Sequence, residues 1–350
     1  MHFKNGNIYN GEKVVCRSLP EITNVEKDFT ILEGDILSYA EDGTVIKVYF
    51  DEEGLDNEPE PQTQLEPQTQ LEPQTQLEPQ TLQTQLESQT LQSTGGYGGV
   101  RRPQWKTSTT KCIDAKMSRF TSEKSFDEMF WEVYGDVVEL FETDCTYIFV
   151  LKHIDNRIVL KHPNNSLVFL AKIYNTTGEI SYNREFHGLE NVTSERIIEP
   201  DTSIVKVSDY MSVQGYRGII IKRDNQYFKY DFPEYSLAKR LRGNAPDIRY
   251  AHLLHLHNFK KTLQLSILYP EYIADFYNIR KKLYELCVDI HNVYKCGNKV
   301  SNKDPYFSFI SKIYKKHGKH ADIDDITFLI YRLPVKTLYN TLCKSPKKST

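Results

Sequence analysis

Residues 36–50 read ILSYAEDGTVIKVYF. Residues 36–39 form a short apolar run of β type. Asp42-Gly43 is a turn signal, and Thr44–Phe50 then alternates Val45, Lys47 and Tyr49 against Ile46, Val48 and Phe50. Strand, Asp-Gly turn and return strand predict a hairpin. Working outward, further strands are expected at 13–17, 146–151, 157–162, Ser166–Tyr174, 203–207, Gly218–Arg223 and 227–231. The last two flank a short turn at Asp224-Asn225 and predict a second hairpin.

Helical spacing is sparser in this half. Phe126, Met129, Phe130, Val133 and Val137 predict a helix over 126–141, opened by a capping box of Ser125 and Glu128. From about residue 248 the pattern changes. Phe276, Leu283 and Ile290, with Ile279, Leu286 and Val293, put six apolar residues on one face of a helix over 271–294. Asp322, Asp324 and Asp325 precede a second helical stretch, 326–343, as acids do at a helix start. The fold class is therefore α+β, with antiparallel sheets followed by an all-α C-terminal domain.

The EPQTQL hexapeptide recurs at 60–65, 66–71 and 72–77, then decays, and GGYGG follows at 95–99. One strongly apolar residue in six, with recurring Pro, cannot build a core, so 51–99 reads as a disordered acidic insertion. Its presence explains the charge balance. Residues 51–94 hold ten acids and no Lys or Arg, so the remaining chain sets 44 Lys/Arg against 37 acids, a net of +7 within a total of -3. Residues 1–50 and 100–247 then form one interrupted domain, and 248–350 a basic helical domain, whose residues 251–350 alone hold 17 Lys/Arg against 8 Asp/Glu. With 39% hydrophobic residues and 12% aromatic ones, a wholly disordered chain is excluded.

Three segments carry the functional reading: EDGT at 41–44, IDNRIV at 154–159 and GIIIK at 218–222, with KYD at 229–231. In order and spacing they resemble the nucleotidyltransferase motifs of phage-type RNA ligases. That family shows K-x-D-G-[ST] between strands, F-E-[LF] with NRIV downstream, E-G-[IV]-[IV]-x-K and K-x-K. The segment around Arg17 resembles the Arg-bearing stretch upstream of the nucleophile, 105–109 the stretch after the second strand, and 281–294 the helical appendage. The resemblance implies a nucleotidyltransferase domain in which a Lys attacks the ATP α-phosphate. AMP then passes to an RNA 5′-phosphate, and a 3′-hydroxyl displaces it. It also implies nucleotide or phosphate contacts from Arg17, Glu41, Asp42, Gly43, Arg157, Lys222 and Lys229.

The departures fall on the chemistry. The nucleophile column holds Ala40, the Glu of F-E-[LF] is Val150, the Glu before Gly218 is Arg217, and the second Lys of K-x-K is Asp231. Glu to Val removes a hydrogen bond of about 0.5–1.5 kcal/mol, and Glu to Arg reverses charge where a metal would sit. Losing a covalent nucleophile removes orders of magnitude in rate. The expectation is a degenerate ligase relative that binds RNA ends or a nucleotide without forming lysyl-AMP. One alternative is an active ligase with a relocated nucleophile, Lys47 or Lys222, in which case ATP and Mg²⁺ are the cofactors. Another is an interaction scaffold that meets a protein partner through the repeat. No resident metal site is expected.

The basic runs 239–244, 312–319 and Arg101-Arg102 beside Trp105 suit RNA phosphates and base stacking, although a solvated face explains each as well. His252, His255 and His257 are spaced by three and two and read as a solvated or half-buried face. His317 and His320 lie in or beside the basic loop 312–319. Six scattered cysteines without a CxxC pair disfavour a zinc ribbon or disulfide scaffold. A polar N-terminus and short apolar runs predict an intracellular, cytoplasmic protein with no membrane partner. The repeat-expanded, Tyr/Asn/Lys-rich style suits a large DNA virus, which would place it in a host cytoplasm.

Overall fold

The computed structural model describes residues 1–4, 6–51, 105–135, 137–182, 189–199, 201, 204–224, 226–295, 307–318 and 320–343. The repeat and Arg101-Arg102 lie outside them, as do Asn225 and Lys319. In chain order the strands are β1 (His2–Lys4), β2 (Asn7–Asn10), β3 (Lys13–Cys16), β4 (Ile22–Asn24), β5 (Ile36–Ala40), β6 (Thr44–Phe50) and β7 (Trp105–Thr109). Helix α1 (Phe126–Tyr134) follows. Then come β8 (Cys145–Lys152), β9 (Ser166–Tyr174), β10 (Ile180–Ser181), β11 (Val192–Ser194), β12 (Ile197–Ile198), β13 (Gly218–Arg223) and β14 (Gln226–Asp231). The chain closes with α2 (Pro233–Arg242), α3 (Ile248–Leu254), α4 (Phe259–Leu268), α5 (Ile273–Lys295), α6 (Phe307–His317), α7 (Ile323–Tyr331) and α8 (Val335–Cys343).

The architecture is α+β. One sheet runs β10-β9-β8-β6-β7 with β11 on β9, a second runs β12-β5-β13-β14-β4, and β1-β2-β3 form a small meander. Pairings are antiparallel except β11 with β9 and β14 with β4. The Asp42-Gly43 turn does not close a hairpin. β5 pairs with β12 and β13, whereas β6 pairs with β7 and β8. The turn therefore carries the chain from one sheet to the other. β13 and β14 do form the expected hairpin, with Asp224 at positive φ in its turn.

Each large sheet packs one face against a helix, and the central strands of the larger sheet are buried on both faces. Ile46, Val48, Phe149, Leu151 and Phe169 pack against Met129 and Phe130 of α1. Leu37, Ile219, Ile221 and Tyr230 pack against Tyr235 and Ala238 of α2. The alternation in Thr44–Phe50 separates two buried faces: Ile46 and Val48 meet α1, whereas Tyr49 packs with Ile8, Val15 and Cys16. α1 starts on its capping box and stops at Gly135, whose φ of 81° ends the helix. The expected helix over 126–141 therefore overruns the observed one by the seven residues after Tyr134, and Val137 lies exposed beyond it.

Two expected strands are missing. Residues 157–162 form none, because the Val159 and Leu160 amides donate to the Asp42 carboxylate at 3.0 and 2.7 Å instead of to a neighbouring strand. Of 203–207, Ser203 lies outside the described residues, and the rest makes only an isolated bridge from Lys206 to Thr30 before a 3₁₀ turn at Val207–Asp209.

In the C-terminal half, α5 buries Phe276, Ile279, Leu283, Leu286 and Ile290 as its seven-residue spacing predicts. Ile279, Leu283, Leu286 and Ile290 meet Ile310, Ile313, Ile326, Ile330 and Leu338. The stretch 326–343 is two helices, broken before Pro334, because proline cannot supply the amide that a continuing helix needs. Asp322 caps α7 with Asp325 in a capping box. Of the basic run 312–319, residues 312–317 are the end of α6 and not a loop. α2 belongs to both halves: Tyr235 and Ala238 lie in the sheet core, while Leu241 packs with Ile248, Leu265 and Tyr269.

Candidate functional site

A cleft of ≈ 140 Å³ lies where the two large sheets face each other beside the Glu41-Asp42-Gly43 turn. Its apolar wall is built by Val45 and Val150, which are cross-strand partners, and by Leu170. The opposing wall carries Ile220, Lys222, Tyr227 and Lys229 of the β13–β14 hairpin. Ala40 closes the end of β5, paired with Gly218, and its carbonyl accepts from the Arg217 amide at 2.8 Å.

Two glycines let the segments meet. A Cβ on Gly43 would stand 2.5 Å from the Leu151 carbonyl oxygen, and one on Gly218 would stand 1.9 Å from the Tyr230 carbonyl oxygen. Neither separation is physical, so glycine at both positions follows from close backbone approach.

Ala40, Val150 and Arg217, drawn from three separate stretches of sequence, line this one cleft. Asp231 reaches it through Arg217, whose Nε and Nη2 donate to its two carboxylate oxygens at 2.6 and 2.9 Å. Lys222 donates to Glu195 at 2.6 Å. Lys229 stands 4.0 Å from the same Asp231 that Arg217 already holds. Burial, reinforced by the Arg217 charge, holds the Lys229 amine below the usual lysine range. Glu41 is paired with Lys152 at 3.0 Å. Burial nonetheless pushes its carboxyl above the usual range, Lys152 opposing the rise.

The other expected site residues are elsewhere. Asp42 is 1% exposed; besides the two amides it accepts from the Tyr235 hydroxyl at 2.7 Å. It therefore ties the turn to residues 159–160 and to α2 and faces no ligand space. Arg17 donates from Nε to the Asn175 carbonyl at 2.8 Å, in a different surface hollow. Arg157 stacks over Tyr269 at 4.0 Å and pairs with Glu271, at the junction with the helical half. Lys47 lies on the same β6 face as Val45, two residues further along, which is about 7 Å. There it donates to the Gly6 carbonyl at 2.6 Å and to Ser18 Oγ at 3.2 Å, away from the cleft.

Sequence reasoning missed Glu195, Tyr39, Tyr182 and Tyr227, all of which line the cleft. Tyr39 stacks on Tyr216 at 4.5 Å, with the Arg196 guanidinium 5.4 Å above it. Tyr182 is exposed and sits 4.3 Å from the Lys222 ammonium. Lys222 facing a semi-buried wall was itself a signal that a carboxylate had to be near.

The remaining candidates change character in the structure. Trp105 is partly buried against Phe50 and Phe141, in the core cluster of the larger sheet, so it serves packing. His252 and His255 are buried, contrary to a solvated face, and His257 is exposed. His252 stacks on Phe276 and accepts from Arg280 Nε at 3.1 Å. The side chain of His317 lies outside the described residues. One acidic group, Glu142, Asp144 and Cys145, has ligand atoms within 4.8 Å of one another. Lys172 already holds Glu142 at 2.8 Å, and burial with the two acids pushes the Cys145 thiol well above its usual range, which keeps it protonated and a poor ligand. No helix among the described residues is long and apolar enough to cross a membrane.

Set against known proteins, the chain matches no family model and no curated protein.

Proposed function

We propose that this chain is a degenerate relative of the phage-type RNA ligases that binds a nucleotide or an RNA 5′-phosphate end in the cleft without covalent transfer. One observation carries the reading: the positions that depart from the ligase pattern at Ala40, Val150 and Arg217 come from three distant segments, yet they share a cleft with Lys222 and Lys229. That convergence supports aligning these short motifs with the ligase pattern.

The chemistry of the cleft favours binding over transfer. Ala40 offers no nucleophile. Lys47 is held outside the cleft, and Lys222 is engaged by Glu195. Lys229, no nearer than 4.0 Å to Asp231, suits phosphate oxygens, while Tyr182 and Tyr39 suit a base plane. Mg²⁺ does not fit. Each nearby carboxylate among the described residues, Glu41, Glu195 or Asp231, already has a cationic partner, and no pair of free carboxylates is left among them to hold a hard cation. RNA is the partner that suits the remaining basic surface, and the repeat would be the place for any protein contact.

The test has two arms. Incubation with α-labelled ATP and Mg²⁺ is expected to give no labelled band on a denaturing gel. Equilibrium titration with AMP, ATP and a 5′-phosphorylated RNA is expected to show binding that weakens in Lys229→Gln. A labelled band lost on Lys222→Ala would establish the active alternative instead. Binding equal in wild type and Lys229→Gln would sink the cleft assignment.

A further inference from the structure

We propose that the pocket at the junction of the sheets and the helical half is a second phosphate-binding site, built around Arg242. The pocket measures ≈ 440 Å³ and shares no lining residue with the cleft. Arg157, Arg242 and Arg249 line it together with Tyr269 and Tyr272. The position that the sequence assigned to a nucleotide phosphate, Arg157, thus faces this pocket.

The three guanidiniums are not equivalent. Arg157 is paired with Glu271, and Arg249 with Asp247 at 2.6 Å. Arg242 is only 2% exposed. It donates through Nη1 to the Ala245 carbonyl and through Nη2 to the Pro246 carbonyl at 2.8 Å. Among the described residues it has no carboxylate within ion-pair distance. Two carbonyl dipoles do not neutralise a buried guanidinium, and a charge in that state is costly. Those two bonds use two of the five guanidinium N–H donors, and the others, held in a plane by the same two carbonyls, are left for phosphate oxygens.

Three carboxylates also line the pocket: Glu123, Asp247 and Asp275. Asp247 is consumed by Arg249 and by the Tyr339 hydroxyl at 2.7 Å. Glu123 and Asp275 stand on the wall, where they tune the affinity for an anion. They also make the proposal testable without touching the buried arginine. A phosphate from an RNA strand and free inorganic phosphate share the chemistry, and the experiment separates them.

The full chain is titrated with inorganic phosphate, followed by ³¹P NMR, and with a 5′-phosphorylated RNA 12-mer, followed by anisotropy. Arg242→Gln is expected to weaken phosphate binding about tenfold, the worth of one charge-assisted hydrogen bond. Asp275→Asn, a partly exposed change that leaves the fold intact, is expected to tighten it about threefold by removing one repulsive charge. A purely structural Arg242 would not produce the second effect. If RNA affinity follows both variants, the site takes backbone phosphate; if inorganic phosphate alone follows, it takes the free ion. Phosphate binding that is absent, or indifferent to both substitutions in folded protein, overturns the proposal. Lys229→Gln should leave this site unchanged, so its failure is distinguishable from failure of the cleft reading.

Discussion

Arg217 grips Asp231 through both carboxylate oxygens, at 2.6 and 2.9 Å. The ligase resemblance asks for an acid at the first position and a lysine at the second, so the two departures exchange sign together. Arg217 alone would lose the carboxylate that holds both its nitrogens; together the two keep a pair with its polarity reversed.

The pair should therefore behave as a unit. Asp231→Ala is expected to cost about 1.5–3 kcal/mol, the range for hydrogen bonds to charged groups. Arg217→Glu with Asp231→Lys should recover most of what either loses alone. Urea unfolding of the singles and the double gives the coupling. Additive losses would show that the two residues do not act on each other.

The two motif glycines should be intolerant for steric reasons. Gly43→Ala and Gly218→Ala force a Cβ against the Leu151 and Tyr230 carbonyls, and each is expected to lower stability by about 1–3 kcal/mol or more. Gly11 has open space around it despite its φ of 58°, so Gly11→Ala should cost only the backbone strain, about 1–2 kcal/mol. Thermal melts of the three variants rank them; a Gly11 variant as damaged as the other two would refute the close-approach explanation.

Asp42 is expected to act on the fold and not directly on ligand. Asp42→Ala strands the amides of Val159 and Leu160 and the Tyr235 hydroxyl, at about 1–3 kcal/mol for each buried group left unsatisfied. Tyr235→Phe removes one donor and should cost about 1 kcal/mol. The readout is the denaturation midpoint. An Asp42→Ala protein of normal stability that had lost nucleotide affinity would return Asp42 to the ligand.

His252 sets an acid limit. Burial, with the charge of Arg280 facing it, lowers its pKa from 6.5 to about 4. The unfolded chain then binds the proton more readily than the folded one. The stability is fully present above about pH 6.5 and is lost as pH falls toward 4. At about 1.36 kcal/mol per pKa unit the loss is on the order of 3 kcal/mol. His252→Gln should flatten the stability profile between pH 4 and 6.5; an unchanged slope would mean that other groups cause it.

Most strands were legible because runs of β-branched and aromatic residues lie within a single segment. Thr44–Phe50 and Gly218–Arg223 needed nothing else. The hairpin at Asp42-Gly43 was misread because the turn signal is local, whereas membership of a sheet is decided by Val150 and Gly218, over a hundred residues away. The segment 157–162 has strand composition, but a buried side chain from another segment takes its amides, and no periodicity shows that. In the site, Ala40, Val150 and Arg217 were found through the spacing of motifs. Glu195 was not, because it sits between two very short strands and its role exists only through Lys222.

Phe50 of β6 and Trp105 of β7 are direct cross-strand partners. The acidic repeat thus leaves and re-enters the sheet at adjacent points, and its ends are fixed whatever lies between them. Closing such a loop costs free energy only with the logarithm of its length, about 0.6 kcal/mol for a doubling. One hexapeptide more or less changes stability by a small fraction of that. A change in the number of EPQTQL copies between these two anchors is therefore expected to be nearly invisible to the stability of the sheet they belong to.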